Sequence, residues 1–430
     1  MSNHVKLSEV CEILNSNVDK KTKENEQEIK LCNFTDVYNN WAITKYKSKK
    51  FMKATATQNE INKFSLKKGY VAITKDSETK DDIGISTYIA DNFDNVLLGY
   101  HCTLLKPNQK VLNGKFLNAY LSSFYGRKYF SNCASGSGQR YTLTIDIIKD
   151  LNIPLINIET QQKIARTLSI LDQKIENNHK INELLHKILE LLYEQYFVRF
   201  DFLDENNKPY QTNGGKMKFS KELNRLIPND FEVKTLGDNP LCNTIKTGVI
   251  PFKQKVYYET KHIQETLSFN QGLKVSYNKR PNRANMQPAI YSVWFAKMKD
   301  TKKHLFLNQR MQSWVKESIL STGFCGLQCQ KHTFEYIAST IKYSPFETRK
   351  NNLATGATQK AINIEALDYI FILIPNKELL DNYSKITKPL YEKISNNIIE
   401  TQTLTTLRDF LLPLLLKQQV KPKNQKQNQK

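Results

Sequence analysis

The chain has 430 residues, 40% of them hydrophobic, and its 63 Lys and Arg residues exceed its 42 Asp and Glu residues by 21. The length predicts at least two domains, while the apolar run at residues 411–416, broken by Pro413, is too short for a membrane span and residues 1–6 lack the apolar segment of a secretory signal. The positive charge favours a polyanionic partner, nucleic acid first, although an AT-rich genome would also encode many Lys, Asn and Ile residues.

Residues 1–157 are predicted to form a first module of mixed α and β structure. Short β-like runs at Gly69–Thr74 and Asn95–Gly99 are bounded by turn residues, and a helix-like run extends from Lys115 to Phe130. Basic and aromatic residues flank the first strand, and two more polar residues follow a Gly pair near position 138. We interpret this set as phosphate contacts, with a solvated charged face as the alternative. The set comprises Lys67, Lys68, Tyr70, Lys75, Gln139 and Arg140.

A long helix is predicted over residues 158–200. Mostly apolar residues recur there at alternating spacings of four and three, which is typical of a coiled-coil seam sustained over more than four heptads. His179 and His186 lie among charged neighbours, and we interpret both as solvated or facing a partner. The seam comprises Ile164, Leu168, Leu171, Ile175, Asn178, Asn182, Leu185, Leu189, Leu192 and Tyr196.

Residues 201–226 are polar and contain Gly, which is typical of a linker. A β-rich second module is predicted over residues 227–377, with strands at Lys253–Tyr258, Leu273–Tyr277 and Ala289–Ala296. The turn-rich stretch between the last two strands holds two Arg, three Asn and one Gln. Arg suits guanine and Asn or Gln suits adenine, so we favour DNA contact over a purely structural loop. The candidates are Tyr277, Lys279, Arg280, Asn282, Arg283, Asn285 and Gln287.

A second long helix is predicted over residues 378–417, followed by a basic tail at 418–430 that we expect to be disordered. Pro389 and Pro413 should start, kink or end this helix locally. Aligning Leu171 with Leu390 carries the first seam onto a second one: Tyr383, Thr387, Leu390, Ile394, Asn397, Thr401, Leu404, Arg408, Leu411 and Leu415.

The second seam belongs to a wider repeat between the two halves of the chain. Ser135–Arg140 recurs as Thr355–Lys360, which makes Gln359 and Lys360 further candidate DNA contacts. A duplicated unit within one chain predicts pseudo-two-fold symmetry.

Both predicted helices carry an Asn at the same seam position, Asn178 in the first and Asn397 in the second. A buried polar residue at such a position commonly fixes the register of paired helices. The alternative is that both Asn side chains lie just outside the seam, in water.

The sequence lacks the motifs of an autonomous enzyme. Residues 135–139 lack the strand-to-helix context and the Lys of a phosphate-binding loop, and no Gly-x-Ser-x-Gly or His-Glu-x-x-His motif occurs. The seven cysteines are an odd, scattered set, which predicts reduced thiols in a cytoplasm. Cys325, Cys329 and His332 do not have zinc-finger spacing. We therefore predict a binding protein with no catalytic residue and no metal site.

Several segments, taken in order, resemble the specificity subunit of type I restriction-modification enzymes. The resemblance covers nearly the whole chain. It implies an α+β fold with two pseudo-two-fold-related target-recognition domains joined by two long helices packed as an antiparallel coiled coil. The segments are Asn152–Leu155, Gln161–Ala165, Leu171–Glu176, Phe197–Asp201, Lys208–Tyr210, Gly214–Met217, Ile227–Gly237, Lys279–Pro288 and Trp294–Asp300.

The same resemblance implies a function and a set of partners. Each target-recognition domain would recognise one half of an asymmetric bipartite site in double-stranded DNA, and two methyltransferase (M) subunits would bind around the helices. Motor and nuclease activity would belong to restriction (R) subunits. S-adenosylmethionine, ATP and Mg would bind to these partners and not to this chain.

The predicted helix length suits this arrangement. A helix of about 38 residues would be roughly 57 Å long, so the two modules would contact major grooves more than one DNA turn, about 34–36 Å, apart. One rival interpretation is a fragment of a single-chain restriction-methylation enzyme, although no Asn-Pro-Pro-type methyltransferase site is present. Another is a coiled-coil scaffold with only non-specific DNA binding, against which stand the net charge of +21 and the two unlike modules.

Overall fold

The computed structural model describes residues 3–138, 140–264, 268–269 and 272–417. The chain divides into two compact units: unit 1 contains the residues up to 174 together with those from 404 onward, and unit 2 contains residues 175–403. The predicted tail and Gln139 lie outside the described residues. None of the helices in these ranges is both long enough and apolar enough to span a bilayer.

Unit 1 is an α+β domain whose strands form one five-stranded sheet, two three-stranded sheets and one two-stranded pair. Its strands are β1 (Asn3–Lys6), β2 (Cys11–Asn15), β3 (Gln27–Cys32), β4 (Ala42–Ile43), β5 (Met52–Ala56), β6 (Val71–Thr74), β7 (Asp76–Ser77), β8 (Ser86–Ile89), β9 (Val96–Leu98), β10 (Cys102–Pro107), β11 (Ser135–Ser137), β12 (Arg140–Thr142) and β13 (Asn152–Leu155). Its short helices are α1 (Leu7–Val10), α2 (Phe34–Asn39), α3 (Gln58–Phe64), α4 (Gly114–Ser122), α5 (Phe124–Cys133) and α6 (Ile145–Lys149).

The five-stranded sheet, in the order β2-β10-β6-β8-β4, forms the centre of unit 1. Every residue of β6 and β8 is buried, as is typical of strands that are covered on both faces. The helix-like run at Lys115–Phe130 is broken at Ser123 into α4 and α5, which contribute Phe116 and Phe130 to the core.

The first long helix, α7 (Ile158–Tyr193), continues as one π-helical turn at Glu194–Val198. Asn157 caps its start, because its Oδ1 accepts a hydrogen bond from the Thr160 N–H at 2.8 Å. Gln161 in the first turn is fully buried and bonds the backbones of Val111, Asn113 and Ile156. These bonds fix the first turn of α7 against the residues that precede α4.

Unit 2 is also α+β, with two four-stranded sheets in the orders β17-β26-β23-β24 and β21-β18-β25-β22. Its strands are β14 (Met217–Ser220), β15 (Arg225–Pro228), β16 (Glu232–Thr235), β17 (Cys242–Thr244), β18 (Lys255–Tyr258), β19 (Ile263–Gln264), β20 (Ser268–Phe269), β21 (Leu273–Val275), β22 (Ala284–Met286), β23 (Ser292–Ala296), β24 (His304–Leu307), β25 (Ser318–Ser321), β26 (Phe324–Cys329) and β27 (Phe371–Ile374). Its helices are α8 (Gln312–Glu317), α9 (Phe334–Lys342), α10 (Ser344–Leu353) and α11 (Lys377–Leu416), the last of which ends in unit 1.

The repeat in the sequence recurs in the backbone of the two units. A core strand leads into two consecutive helices in each, β10 into α4 and α5 and β26 into α9 and α10. The last strand before each long helix pairs antiparallel with a strand near the start of the same predicted module, β13 with β1 and β27 with β16. Gly136 and its repeat mate Gly356 both have a positive φ, 133° and 127°. The duplication therefore extends to local backbone conformation.

Of the effects expected of Pro389 and Pro413, a helix start and a helix end do not occur. Both residues lie inside α11. Buried neighbours on both sides of Pro389, Tyr383 and Tyr391, pack in the unit 2 core, and this packing offsets the loss of one backbone hydrogen bond.

The predicted linker at residues 201–226 is a packed segment and not a spacer. It contains β14, which pairs with β15, and Phe202 is buried between the rings of Tyr210 and Phe231 at 4.9 and 6.0 Å. Its Gly and Asn residues serve tight turns, with φ of 82° at Gly214 and 57° at Asn207. Composition alone does not distinguish such turns from a flexible linker.

Candidate nucleic-acid interface

Residues from two separate segments of unit 2 form a row of aromatic and basic side chains that contact one another. Lys255 Nζ lies 5.7 Å from the centre of the Phe252 ring. The Phe252 and Tyr277 rings are perpendicular at 5.8 Å, and the Arg280 guanidinium lies 4.1 Å above Tyr277. Lys255 Nζ also donates to Gln287 Oε1 at 3.4 Å. We call these five residues the unit 2 platform.

The platform is supported by the sheet β21-β18-β25-β22. Tyr257, Val275, Ala284 and Ile319 form a small buried cluster in this sheet, and Phe252 packs against the cluster. Residues 244–287 contain eight Lys or Arg residues against two Glu residues. Basic groups interleaved with aromatic rings on a rigid sheet suit contact with a nucleic acid backbone and its bases.

The two arginines of the platform region have different surroundings. Arg280 donates from Nε to the Ala284 carbonyl at 3.1 Å and from Nη1 to the Tyr277 carbonyl at 2.6 Å. Arg283 is exposed, and its side chain makes no hydrogen bond to the part of the chain that the structure describes. Arg283 is therefore available for a new contact, whereas Arg280 is held by its neighbours.

The other predicted contacts of this stretch also vary in access. Lys279 and Asn282 are exposed, whereas Asn285 and Gln287 are half-buried. Sequence reasoning did not find Phe252 and Lys255, because they belong to an earlier segment than Tyr277 and only the sheet brings them together. Burial lowers the pKa of Lys255.

A smaller polar cluster lies in unit 1 around Asp76. Its Oδ2 lies 2.8 Å from His101 Nδ1 and 3.7 Å from Arg140 Nη2, and its Oδ1 accepts from the Thr142 hydroxyl at 2.9 Å. The side chain of Arg140 is 69% exposed. Asp76 therefore orients the predicted contact Arg140 without covering it. Sequence reasoning did not find Asp76 or His101, since nothing in the sequence joins them to Arg140.

The remaining unit 1 candidates lie at opposite ends of β6. Lys75 bonds its backbone to His101 and Leu143, which places it beside the Asp76 cluster. Lys67 and Lys68 are exposed at the other end, and Tyr70 is half-buried. Lys68 lines an open cleft of about 730 Å³ together with Lys115 and ten other residues. Burial and the neighbouring Lys68 lower the pKa of Lys115.

The repeat mates Gln359 and Lys360 are exposed in unit 2. The carbonyl of Lys360 accepts from the Lys299 N–H at 2.9 Å. Their loop thus pairs with residue 299 and does not form part of the platform sheet.

A buried polar layer joins α7 and α11 within unit 2. Asn178 Nδ2 donates to Glu400 at 2.9 Å and to Thr401 at 3.4 Å, and Asn397 Nδ2 donates to Asn182 Oδ1 at 2.8 Å. Asn178, Asn182 and Asn397 are at most 1% exposed, so the alternative that Asn178 and Asn397 lie in water is wrong. Residue 178 meets 401 and residue 182 meets 397, which shows that the helices run antiparallel here.

The structure places every residue of both predicted seams in a buried or half-buried position. In unit 1, Ile164 and Leu168 of α7 share a cluster with Leu412 and Leu415 of α11. The outlier Arg408 stacks on Trp41 at 4.6 Å.

The interpretation of His186 as solvated or facing a partner is wrong. His186 is 8% exposed and packs in unit 2 at 6.3 Å from the Phe306 ring. Burial, with smaller contributions from Lys342 and His304, lowers its pKa to about 3. The interpretation of His186 relied on its charged neighbours in the sequence, but these neighbours lie on other faces of the helix.

The outward face of α7 in unit 2 carries an apolar row that the sequence analysis did not single out. Ile181, Leu184, Ile188 and Leu191 are 38%, 59%, 45% and 62% exposed. Their spacings of three, four and three form a second heptad pattern, offset from the seam. We call them the α7 outer row. An exposed row of this kind is typical of a helix that packs against a partner.

A family model and individual relatives both show that the sequence is similar to specificity subunits of type I restriction enzymes. The family model described as type I restriction modification DNA specificity domain matches residues 2–187. The chain is 26% identical over 361 residues to the type I restriction enzyme MjaIX specificity subunit of Methanocaldococcus jannaschii, covering 81% of this chain and 74% of that protein. It is 24% identical over 419 residues to the HindI specificity subunit of Haemophilus influenzae, covering 82% and 87%.

A solved structure shares the fold. The crystal structure of the type-I restriction-modification system S subunit from M. genitalium matches with a TM-score of 0.51 and 16% identity, covering 96% of each chain. This match, together with the mixed helices and strands of the two units, confirms the predicted α+β fold.

Proposed function

Because the chain belongs to the family of type I restriction-modification specificity subunits, we propose that it recognises an asymmetric bipartite site in double-stranded DNA, one half with each unit. The supporting observation is that the two units share a framework but expose different side chains. Unit 2 exposes Arg283 beside an aromatic and basic platform, whereas unit 1 exposes Arg140 beside Asp76 and His101. Two unlike surfaces would recognise two unlike half-sites.

Modified-base sequencing tests this proposal directly. The chain is expressed with its methyltransferase subunit in a host without other adenine methylation, and methylated adenines are mapped. We expect one motif with two dissimilar halves separated by unspecified base pairs. A single uninterrupted motif, a palindrome, or methylation without sequence preference would contradict the proposal.

We further propose that the two long helices set the number of unspecified base pairs. The 36 residues of α7 correspond to about 54 Å at 1.5 Å per residue. Deleting one heptad from each helix keeps the seam positions in phase and shortens each helix by about 10 Å. We expect the gap to shorten by about three base pairs, given roughly 3.4 Å per base pair. An unchanged gap in the methylome would contradict this role.

The chain itself would carry no catalytic group, and two methyltransferase subunits would act on the site it selects. S-adenosylmethionine would bind to those subunits, and ATP and Mg would be used with them and with the restriction subunits. Such a complex would act in the cytoplasm of a bacterium or archaeon, where the DNA is.

The α7 outer row is the surface that we propose for a methyltransferase subunit. Replacing Leu184 and Leu191 by Lys should abolish co-purification of that subunit, because two charges would be buried in an apolar contact. Glu190→Lys adds a charge to the same helix off the row and should leave co-purification intact. If the double Lys variant and Glu190→Lys both still co-purify with the methyltransferase subunit, the docking surface lies elsewhere.

A further inference from the structure

One loop of unit 2 displays an apolar side chain in an unusual way. Ile250 is 76% exposed, the highest value among the large hydrophobic residues in the described ranges. Its neighbours Val249 and Phe252 instead pack against the buried cluster of the platform sheet. The chain thus anchors the loop on both sides of Ile250 and leaves this one side chain outside.

The backbone holds Ile250 in a defined position. Gly248 has φ of +139°, which favours glycine, and its N–H donates to the Asn285 carbonyl at 2.9 Å. Gly248 also forms an isolated parallel β-bridge with Met286. Pro251 follows directly and restricts Ile250 to an extended conformation. The loop is therefore attached to β22, the strand that carries Asn285 and precedes Gln287.

The surroundings of Ile250 point to DNA and not to an apolar protein surface. Lys246 and Lys253 are exposed on either side of it in sequence, and Arg283 is exposed just before β22. An apolar protein partner would have to bury these cations without compensation, whereas DNA supplies a phosphate for each. A single apolar tip within a basic rim matches the major groove, where the thymine C5-methyl group is the apolar feature of the base edges.

We propose that Ile250 contacts the C5-methyl group of a thymine in the half-site recognised by unit 2, and so determines one base of the target. The inference rests on the proposed function. Asn285 of the adjoining strand β22 and its flanking residues Arg283 and Gln287 supply polar contacts, and Ile250 supplies the apolar one. An insertion between base pairs would instead unstack the DNA and affect every sequence alike.

The first test compares sequence preference in the intact complex of this chain with its methyltransferase subunit. Binding is selected from a duplex library randomised over the unit 2 half-site, for the wild type and for Ile250→Ala. We expect the variant to lose its preference for thymine at one position and to keep the rest of the motif. Leu226→Ala, at a residue that is 54% exposed on β15, is the matched control and should leave the motif unchanged.

The second test removes the methyl group from the DNA. Replacing that thymine by deoxyuridine should weaken binding of the wild-type complex about fourfold, the effect of removing one buried methyl group. Ile250→Ala should bind both duplexes equally. If wild type and variant lose the same factor, another residue contacts the methyl group. If the variant is uniformly weak with an unchanged motif, Ile250 acts by insertion, and in either case the inference is wrong.

These outcomes are separable from failure of the proposed function. If the wild-type complex selects no motif at all, the proposed function fails first. If it selects a bipartite motif that Ile250→Ala leaves intact in every position, only the role of Ile250 is overturned.

Discussion

The helices α5 and α10 occupy the same place in the repeat but bury different chemistry. Aligning Gly136 with its repeat mate Gly356 also aligns these helices and brings Phe130 into register with Lys350. Both side chains are completely buried. In unit 1 the Phe130 ring lies against Gly84, where a Cβ would fall 2.4 Å from the ring. A duplicated backbone thus fixes where a side chain is buried but not what kind of side chain it is.

The charge of Lys350 is compensated inside unit 2. Its Nζ lies 2.6 Å from Glu347 Oε2 and donates to the carbonyls of Ala296 and Thr301 at 3.2 and 3.0 Å. Glu347 Oε1 lies 3.1 Å from His304 Nε2. Burial raises the pKa of Glu347, but the hydrogen bonds with His304 and Lys350 outweigh burial and leave the pKa lowered. The stability of the Lys350 site therefore depends on the presence of each charged partner, whereas that of the Phe130 site depends on how well the ring fits.

The largest expected effect comes from removing one member of the pair. Lys350→Met leaves the Glu347 carboxylate buried without its cation, so we expect the free energy of unfolding to fall by about 3–5 kcal/mol. Urea denaturation at pH 7 measures it. In unit 1, Phe130→Leu leaves no charge unpaired and removes only part of one apolar side chain, so it should cost less, about 1–2 kcal/mol.

A paired variant tests whether charge is the cause. Glu347→Leu combined with Lys350→Met replaces both ions by apolar groups and should recover most of the lost stability. If the double variant is as unstable as Lys350→Met alone, the loss of stability comes from the packing and hydrogen bonds of Lys350 and not from its charge.

The helix pair repeats the same contrast. Its portion in unit 1 is joined by Ile164, Leu168, Leu412 and Leu415, whereas its portion in unit 2 contains the Asn layer. Asn397→Leu leaves Asn182 Oδ1 buried without its donor, which should cost about 1–3 kcal/mol. Adding Asn182→Leu should restore stability, measured as a double-mutant cycle. Additive losses would mean that the two Asn side chains are not energetically coupled.

The sequence predicted the parts of this contrast that repeat. The alternating seam spans the 36 residues of α7, so its signal accumulates, and the register of the repeat identifies Asn178 with Asn397. The burial of Lys350 could not be predicted in this way, because Lys is almost always exposed unless paired. The same holds for the site: Tyr277 and Arg280 lie in a conspicuous segment, but Phe252, Lys255 and Ile250 join them only through strand pairing between distant residues.

The buried histidine gives unit 2 a sensitivity to acid. An unfolded chain protonates His186 near pH 6.5, whereas the folded chain, with a pKa of about 3, does not. The free energy of unfolding should therefore fall as the pH drops from about 6.5 towards 3, by up to about 1.4 kcal/mol per pH unit from this residue. His186→Phe should lose less stability than the wild type between pH 7 and pH 5 in urea denaturation. Equal losses would show that His186 is not responsible.

The smallest effects are expected where the two units agree. Asn157 and Asn376 are repeat mates in the register that matches Asn178 with Asn397, and they cap α7 and α11 through bonds of 2.8 and 2.9 Å. Asn157→Ala and Asn376→Ala should each cost about 1 kcal/mol. Asn376 also donates to the exposed Asp230 at 2.5 Å, and because an exposed contact contributes little, the two losses should remain within about 1 kcal/mol of each other. Asn→Ser at either position keeps a capping oxygen and should restore most of the stability. A larger difference between the two Ala variants would mean that the repeat preserves the helix starts in sequence but not in energy.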